Sequence, residues 1–378
     1  MRIAIDYTPG IAQRAGIGRY TRNLIQALIE VDQTDQFTLF STERATTAYR
    51  FPSAPNVRPR VVGIGNRNAT IVWQRLNIPI PVELVTGRAD VLHGPDYILP
   101  PAFNTPRVVT IHDLAFLTNP ECALPSLVEY LTNVTPRSIR RADRVIAVSQ
   151  RTADDLIERL RVPREKIHVI HLGVDPSFTP ERDANREKRL RERLGIQQPF
   201  ILAVGTIEPR KNYEELIAAF ARATRSSDGP PLLVIVGRKG WLYDGVFRAV
   251  ETHDLRERVL FLDFVADEDL PTLYHAAVAL AMPSIYEGFG IPVVEAMASG
   301  TPVICSDSGP LPEIAGDAAR FVTVGDVDAL AGELCAVYTD EALRETLRER
   351  GLARARHFSW TEAAQKHLAV YREVARRH

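Results

Sequence analysis

The feature that most restricts the fold is an alternation that runs from one end of the chain to the other. Short apolar, β-branched runs are separated by stretches with helical spacing. "RIAIDY", "FTLFS", "VRPRVVGI", "ADVLH", "RVVTIHD", "DRVIAVS" and "IHVIHLG" read as the strands of a first half. "FILAVGT", "PLLVIVG", "RVLFLDF", "VALAMPS", "TPVICSD" and "ARFVTV" read as those of a second. Helical patterns such as residues 17–30 and 150–160 lie between many of them. Strands alternating with helices in this way make βαβ units and parallel sheets. The unbroken apolar character of "LLVIV" and "VALAM" is that of strands covered on both faces. At 378 residues the chain exceeds one ordinary core, so two doubly wound α/β domains are expected.

"DPSFTPERDANREKRLRERLG", residues 175–195, combines prolines with dense charge and marks the inter-domain connection. The expected domains are residues 1–175 and 176–359. The tail "SWTEAAQKHLAVYREVARR" places Trp360, Ala364, His367, Leu368, Tyr371 and Val374 on one helical face. An apolar face must dock, so a helix over about residues 360–378 is expected to return onto the first domain. Two such domains facing each other leave a central cleft at the carboxyl ends of both sheets, where ligands of open α/β folds bind.

Composition narrows the partners. The chain is 45% apolar and 25% charged, as a soluble globular protein is. A net charge of −1 excludes nucleic acid as the main partner. No apolar run nears the ~18 residues that span a bilayer. "MRIAIDYTPG" opens as a strand and not as a signal peptide, so a cytoplasmic location is expected. Cys122, Cys305 and Cys335 are widely spaced and read as buried reduced thiols.

The chemistry concentrates in "SIYEGFGIPVVEAMASG", residues 284–300, where Glu287 and Glu295 flank a glycine turn. Gly288 and Gly290 permit close ligand approach, and Pro292 suits the first turn of a helix that Gly300 stops. The amides of Gly288, Phe289, Gly290 and Ile291 then offer donors to an anion or to polar oxygens. Glu295, just over one turn into the helix, can accept from two vicinal hydroxyls, as acidic residues do with a ribose. Upstream, "LAVGTIEPRKNYEEL" ends a strand at Gly205 and sets Arg210 and Lys211 before a helix starting near Asn212. Two adjacent cations there suit a diphosphate and its departure. Together these segments describe a nucleoside-diphosphate site.

"EGFGIPVVEAMASGTPVICSDSGPLPEIAG" resembles the E-x7-E region of the retaining GT-B glycosyltransferases of family 4. "VGTIEPRKN" resembles their phosphate-binding segment and "GIGRYTRNL" their first loop and helix. "TIHDLAFLTNPE" resembles the bacterial mannosyltransferase-like branch, and "FSWTEAAQKHLAVYREV" the family's usual ending. The resemblance covers essentially the whole chain. It implies a GT-B architecture with an acceptor-side first domain and a nucleotide-sugar-binding second one. It also implies transfer of a hexose to a hydroxyl of a glycan or lipid-linked acceptor, with retention and no metal or other cofactor. By it, Glu295 binds ribose, while Glu287 and the Gly288–Gly290 turn contact the donor sugar. Arg210 and Lys211 hold the diphosphate, Gly16 approaches its distal phosphate, and His112 lies near the reacting bond. Val265 and Phe264 border the base. The donor is GDP-mannose by the mannosyltransferase-like segment, with UDP-glucose the alternative. A nucleotide-sugar-binding scaffold without activity is the rival outside enzymes, and it would lack Glu287, Arg210 or Lys211.

Other signals have plainer accounts. "GIGRY" departs from the dinucleotide fingerprint, since a loop precedes it and Thr21 replaces the third glycine. Gly16 and Gly18 fit better as a flexible mouth to the cleft. Asp267 with Asp269, and Asp326 with Asp328, match D-x-D but precede helices, so capping accounts for both. Asp113 braces the turn after His112 or touches substrate. Arg137, Arg140, Arg141 and Arg144, beside "SLVEYL", form a solvated face or a peripheral contact with anionic lipid at the inner membrane surface. Residues 44–70 carry no readable acceptor motif.

Overall fold

The computed structural model describes residues 1–377 except 15, 47–48, 64, 66–67, 69, 76–77, 79 and 226–230. The chain forms two compact units. The first comprises Met1–Leu117, Pro125–Gly173 and Ser359–His378; the second comprises Thr118–Leu124 and Val174–Phe358.

The first unit holds β1 (Arg2–Asp6), β2 (Gln36–Ser41), β3 (Val57–Val61), β4 (Val91–Gly94), β5 (Arg107–Ile111), β6 (Arg144–Ala147) and β7 (Ile167–Val169) in the order β3-β2-β1-β4-β5-β6-β7. The second holds β8 (Phe200–Val204), β9 (Leu232–Val236), β10 (Val259–Leu262), β11 (Ala279–Met282), β12 (Val303–Ser306) and β13 (Ala319–Val322) in the order β10-β9-β8-β11-β12-β13. Every pairing is parallel. Each apolar run of the alternation forms one of these strands. Central runs such as β4, β6 and β11 are buried throughout, as strands covered on both faces must be. β3 is mostly exposed, and its Pro59 is tolerated because the strand lies at the sheet edge. The strand stops at Val61, short of the expected Val62 and Gly63, while Ile64 lies outside the described residues, as does part of the 44–70 stretch.

In both sheets the chain leaves the first central strand toward one edge and later returns to pair on its other side. The switch points therefore fall between β1 and β4, and between β8 and β11. Loops diverge there at the carboxyl ends, which opens room for a ligand.

The terminal helix, Trp360–Arg376, belongs to the first unit and packs on the Ile17–Val31 helix. Its expected face is the buried one, with Trp360, Ala364, His367, Leu368, Tyr371 and Val374 all inside. Ion pairs fasten it, among them Arg372 to Asp32 at 2.7 Å and Glu373 to Arg144 at 2.6 Å.

Residues 175–195, expected as the inter-domain connection, include a helix, Ala184–Leu194, because Asp183 accepts from Arg186 N at 3.0 Å and Gly195 ends it at φ 70°. Some other expectations are corrected. Cys122 and Cys305 are buried, but Cys335 is exposed on the Val327–Thr339 helix. Asp326 does cap, accepting from Ala329 N at 2.9 Å. Asp269 makes no side-chain cap bond and instead pairs with Arg193 and Arg186. Gly18 is no flexible mouth: a Cβ there would stand 1.9 Å from Gln13 O, so close packing requires the glycine. Among the described residues no helix is long and apolar enough to cross a membrane.

Candidate functional site

At the switch point of the second unit, the loop after β8 meets the loop after β11. Gly205 ends β8 at φ 152°, and a Cβ there would lie 2.8 Å from Lys211 Cε. Gly237 ends β9 at φ 156°, and a Cβ there would reach 1.9 Å from Gly205 O. Both glycines are needed for the lysine to fold back over the strand ends. The chain then makes a short turn, Pro209–Lys211, and Asn212 at φ 58° launches the helix Tyr213–Ala223. That turn aims Arg210 and Lys211 toward β11.

The β11 loop answers with Glu287. Lys211 Nζ donates to Glu287 Oε1 at 2.7 Å, and Arg210 Nη1 donates to Glu287 Oε2 at 2.7 Å. Arg210 also donates to Tyr286 O at 2.9 Å and, through Nη2, to Glu208 Oε1 at 2.7 Å. Ile285 N donates to Arg210 O at 2.8 Å, which joins the two loops through the backbone as well. Glu208, Lys211 and Glu287 are 4%, 7% and 6% exposed, so the ion cluster is largely withdrawn from water. Burial works against the Glu287 carboxylate, but the Arg210 and Lys211 charges outweigh it and bring its pKa down to about 2.

Gly290 at φ 101° begins the helix Ile291–Ala298, with Pro292 in its first turn. A Cβ at Gly290 would meet Leu311 Cδ2 at 2.7 Å, so the turn is both left-handed and tightly packed. Gly288 and Phe289 are buried and Ile291 is half-buried. The Phe289 ring stands edge-on to Phe358 at 5.7 Å, so its side chain anchors the turn. Glu295 is 2% exposed, and its Oε2 accepts from Tyr274 Oη at 2.9 Å. Val265 is buried, whereas Phe264 beside it is 64% exposed.

In the first unit, His112 follows β5 directly and is 8% exposed. Its Nε2 donates to Pro95 O at 2.7 Å, and its carbonyl accepts from Thr152 Oγ1 at 3.1 Å. Burial lowers its pKa to about 4 against the Pro95 carbonyl and the Asp113 carboxylate, so the ring is neutral. Asp113 braces the turn by accepting from Ala115 N at 2.9 Å. Gly16 stands at φ 53° before the Ile17–Val31 helix. The four arginines expected as one surface are not one: Arg144 is buried against Glu373.

Several contributors escape a sequence reading. Glu208 clamps Arg210, and Tyr274 orients Glu295, from positions with no spacing signal. Arg22 donates to Gly10 O, Gln13 O and Arg14 O at 3.1, 2.8 and 2.7 Å, and so shapes the approach to Gly16. Asp96, beyond β4, has its pKa raised to about 6, mainly by burial; its bond from Gln13 opposes this, and Asp6 and Asp113 add to it. The tripled Arg22 contacts depend on loop conformation, which the motif "GIGRYTRNL" does not encode.

Residues 186–354 match the family described as Glycosyl transferases group 1, and residues 14–178 match Glycosyltransferase Family 4. The chain is 29% identical to the O-antigen chain mannosyltransferase B of Escherichia coli over 98% of its own length and 100% of that protein's. It is 32% identical to a D-inositol 3-phosphate glycosyltransferase of Xylanimonas cellulosilytica, covering 73% of this chain and 68% of that one. Sucrose-phosphate synthase from Thermosynechococcus elongatus shares the fold with a TM-score of 0.80 at 22% identity, over 100% of both chains. Anabaena HepE, solved with UDP-glucose, does so at 0.72 and 19% identity, over 98% of this chain and 100% of that one. The sequence matches in both halves and the two parallel sheets lead to one assignment: the chain belongs to glycosyltransferase family 4, has the GT-B fold, and is an enzyme of the hexosyltransferase class.

Proposed function

We propose that the enzyme moves a mannosyl unit from GDP-mannose to a hydroxyl of a glycan or lipid-linked acceptor, with retention of anomeric configuration. The observation that carries the reading is the buried Arg210–Lys211–Glu287 cluster at the switch point of the second sheet. Two cations joined to carboxylates have no net charge to spare. An arriving diphosphate takes over Arg210 and Lys211, and Glu287 is released toward the sugar hydroxyls. Glu295, steadied by Tyr274, receives the ribose, and the Gly288, Phe289, Gly290 and Ile291 backbone borders the sugar. Gly205 keeps the Lys211 path clear, and Val265 lines the base side. By the family resemblance, Gly16 serves the distal phosphate and His112 the transferred sugar.

In the reaction, the bond from the anomeric carbon to the phosphate oxygen breaks and negative charge gathers on that oxygen. Arg210 and Lys211 stabilise it where it forms. The same oxygen accepts the proton of the incoming hydroxyl, which then bonds to carbon on the face the phosphate leaves. No step needs a protein nucleophile or a bound metal.

Mannose is favoured by the full-length similarity to the O-antigen mannosyltransferase. UDP-glucose is the second reading, because the fold is shared with a protein solved holding it. A cytoplasmic enzyme meeting its acceptor at the inner membrane face fits both. The test is to supply each donor without added metal and follow the anomeric proton by NMR. An α-linked product from an α-configured donor supports retention, and a β-linked one overturns it.

A further inference from the structure

The core of the first unit contains a chain of five hydrogen bonds linking the terminal helix to the sheet. His367 Nδ1 lies 2.7 Å from Ala363 O, and its Nε2 lies 3.1 Å from Tyr20 Oη. Tyr20 Oη is 3.0 Å from Thr110 Oγ1, which is 2.9 Å from His93 Nε2. His93 Nδ1 is 2.7 Å from Tyr371 Oη. All five side chains are buried.

The protons in this chain can be ordered by logic alone. A carbonyl only accepts, so His367 carries its proton on Nδ1 and donates to Ala363. Its Nε2 therefore accepts, and Tyr20 donates. The Tyr20 oxygen then accepts from Thr110, Thr110 accepts from His93 Nε2, and His93 Nδ1 accepts from Tyr371. With both rings neutral, no other arrangement makes all five bonds. Burial, which lowers the pKa of both histidines, favours the same neutral forms.

The chain has a neighbour that gives it a use. The Tyr20 ring meets the His112 ring at 4.7 Å and 84°. Thr110 and His112 stand two residues apart along the extended chain of β5 and its end, so their side chains share a face of the sheet. His112 is thus held on one side by Pro95 O and on another by Tyr20. Tyr20 cannot swing away, because its hydroxyl is engaged by His367 and Thr110 together. With Nε2 committed to Pro95, Nδ1 is the ring atom left to meet a substrate hydroxyl, and a small rotation of the ring would misplace it.

We propose that Tyr20 is a positioning residue for His112, and that His367 on the terminal helix sets Tyr20. The terminal helix is thereby coupled to turnover as well as to stability. This rests on the reading that His112 serves the transferred sugar.

A double-mutant cycle in the full-length enzyme tests it, with GDP-mannose and UDP-glucose turnover and the melting temperature measured for each protein. Tyr20→Phe and His367→Leu should each lower kcat about tenfold with donor KM within about twofold, since slight misplacement of a reacting group costs rate steeply. In the His112→Ala background the same changes should alter kcat by less than about twofold. Equal losses in both backgrounds would overturn the proposal and leave Tyr20 a packing residue. If His112→Ala itself leaves kcat intact, the His112 reading fails and takes the proposal with it, a result distinct from the first. Should Tyr20→Phe be too unstable to purify, His367→Gln, which can still accept from Tyr20, should retain turnover that His367→Leu loses. Equal turnover of those two variants would count against the proposal.

Discussion

Tyr274 donates its hydroxyl proton to Glu295 Oε2 across 2.9 Å, and both side chains are almost wholly buried. The tyrosine comes from the Leu270–Ala276 helix and the glutamate from the Ile291–Ala298 helix. A carboxylate fixed from a second element keeps its orientation before any ligand arrives, which lowers the ordering cost of binding.

Tyr274→Phe should therefore weaken nucleotide-sugar binding while leaving the fold in place. A hydrogen bond to a charged group contributes about 1.5–3 kcal/mol, so a loss of tenfold or more in affinity is expected. Titration calorimetry against the wild type measures it, and unchanged affinity would mean that Tyr274 only packs.

If Lys211 serves as proposed, meeting charge that grows as the diphosphate leaves, Lys211→Ala should cost turnover more than donor affinity. Removing one donor to a developing oxyanion costs about 10²–10³ in kcat. The same variant strips a partner from buried Glu287, so a stability loss of about 3 kcal/mol should accompany it. Glu287→Gln, combined with Lys211→Ala, should restore part of that stability but none of the turnover. Urea unfolding and steady-state kinetics separate the two effects.

The stability of the fold should fall with acid in two stages. Burial lowers the pKa of His112 and His367 to about 4, and it holds that of His93 well below the usual histidine value. An unfolded histidine titrates near ~6.5, so between about pH 6.5 and 4 the unfolded chain binds protons that the native one refuses. Each ring then removes about 1.4 kcal/mol per pH unit as pH falls through that window. Glu287, with its pKa lowered to about 2, adds a second loss below about pH 4.5. Unfolding free energies at steps from pH 7.5 to 4.5 check the first stage. A flat profile there would contradict the buried neutral rings.

Gly237→Ala should destabilise the second unit by more than about 2 kcal/mol, since both its backbone angle and the nearby Gly205 carbonyl oppose a side chain. Gly205→Ala should be milder for stability, because Lys211 Cε is the flexible end of a side chain, yet it should displace the lysine and lower kcat. Thermal unfolding and kinetics of the two variants distinguish these outcomes.

The sheets were legible because buried strands need continuous apolar runs, such as "LLVIV" and "VALAM". The helix with Pro292, Glu295 and Gly300 was legible for the same local reason, as its start and stop residues carry their own backbone preferences. The pairing of Glu287 with both Arg210 and Lys211 was not, since it joins residues 76 or 77 positions apart. Sequence spacing gave no sign that the expected phosphate ligands already hold a carboxylate. Likewise the terminal helix announced an apolar face, but His367 on that face serves a tyrosine near the other end of the chain. Long-range partners follow from topology, and topology is set by strand order that no single segment records.

The central claim is that the second unit receives a nucleotide sugar at Arg210, Lys211 and Glu295. Titration calorimetry of GDP-mannose and UDP-glucose, without metal, into the wild type and Glu295→Ala is the most direct test. The account predicts saturable binding of one donor by the wild type, at least tenfold weaker in the variant, in line with a lost charge-assisted bond. Binding of neither donor, or equal affinity in both proteins, would contradict it.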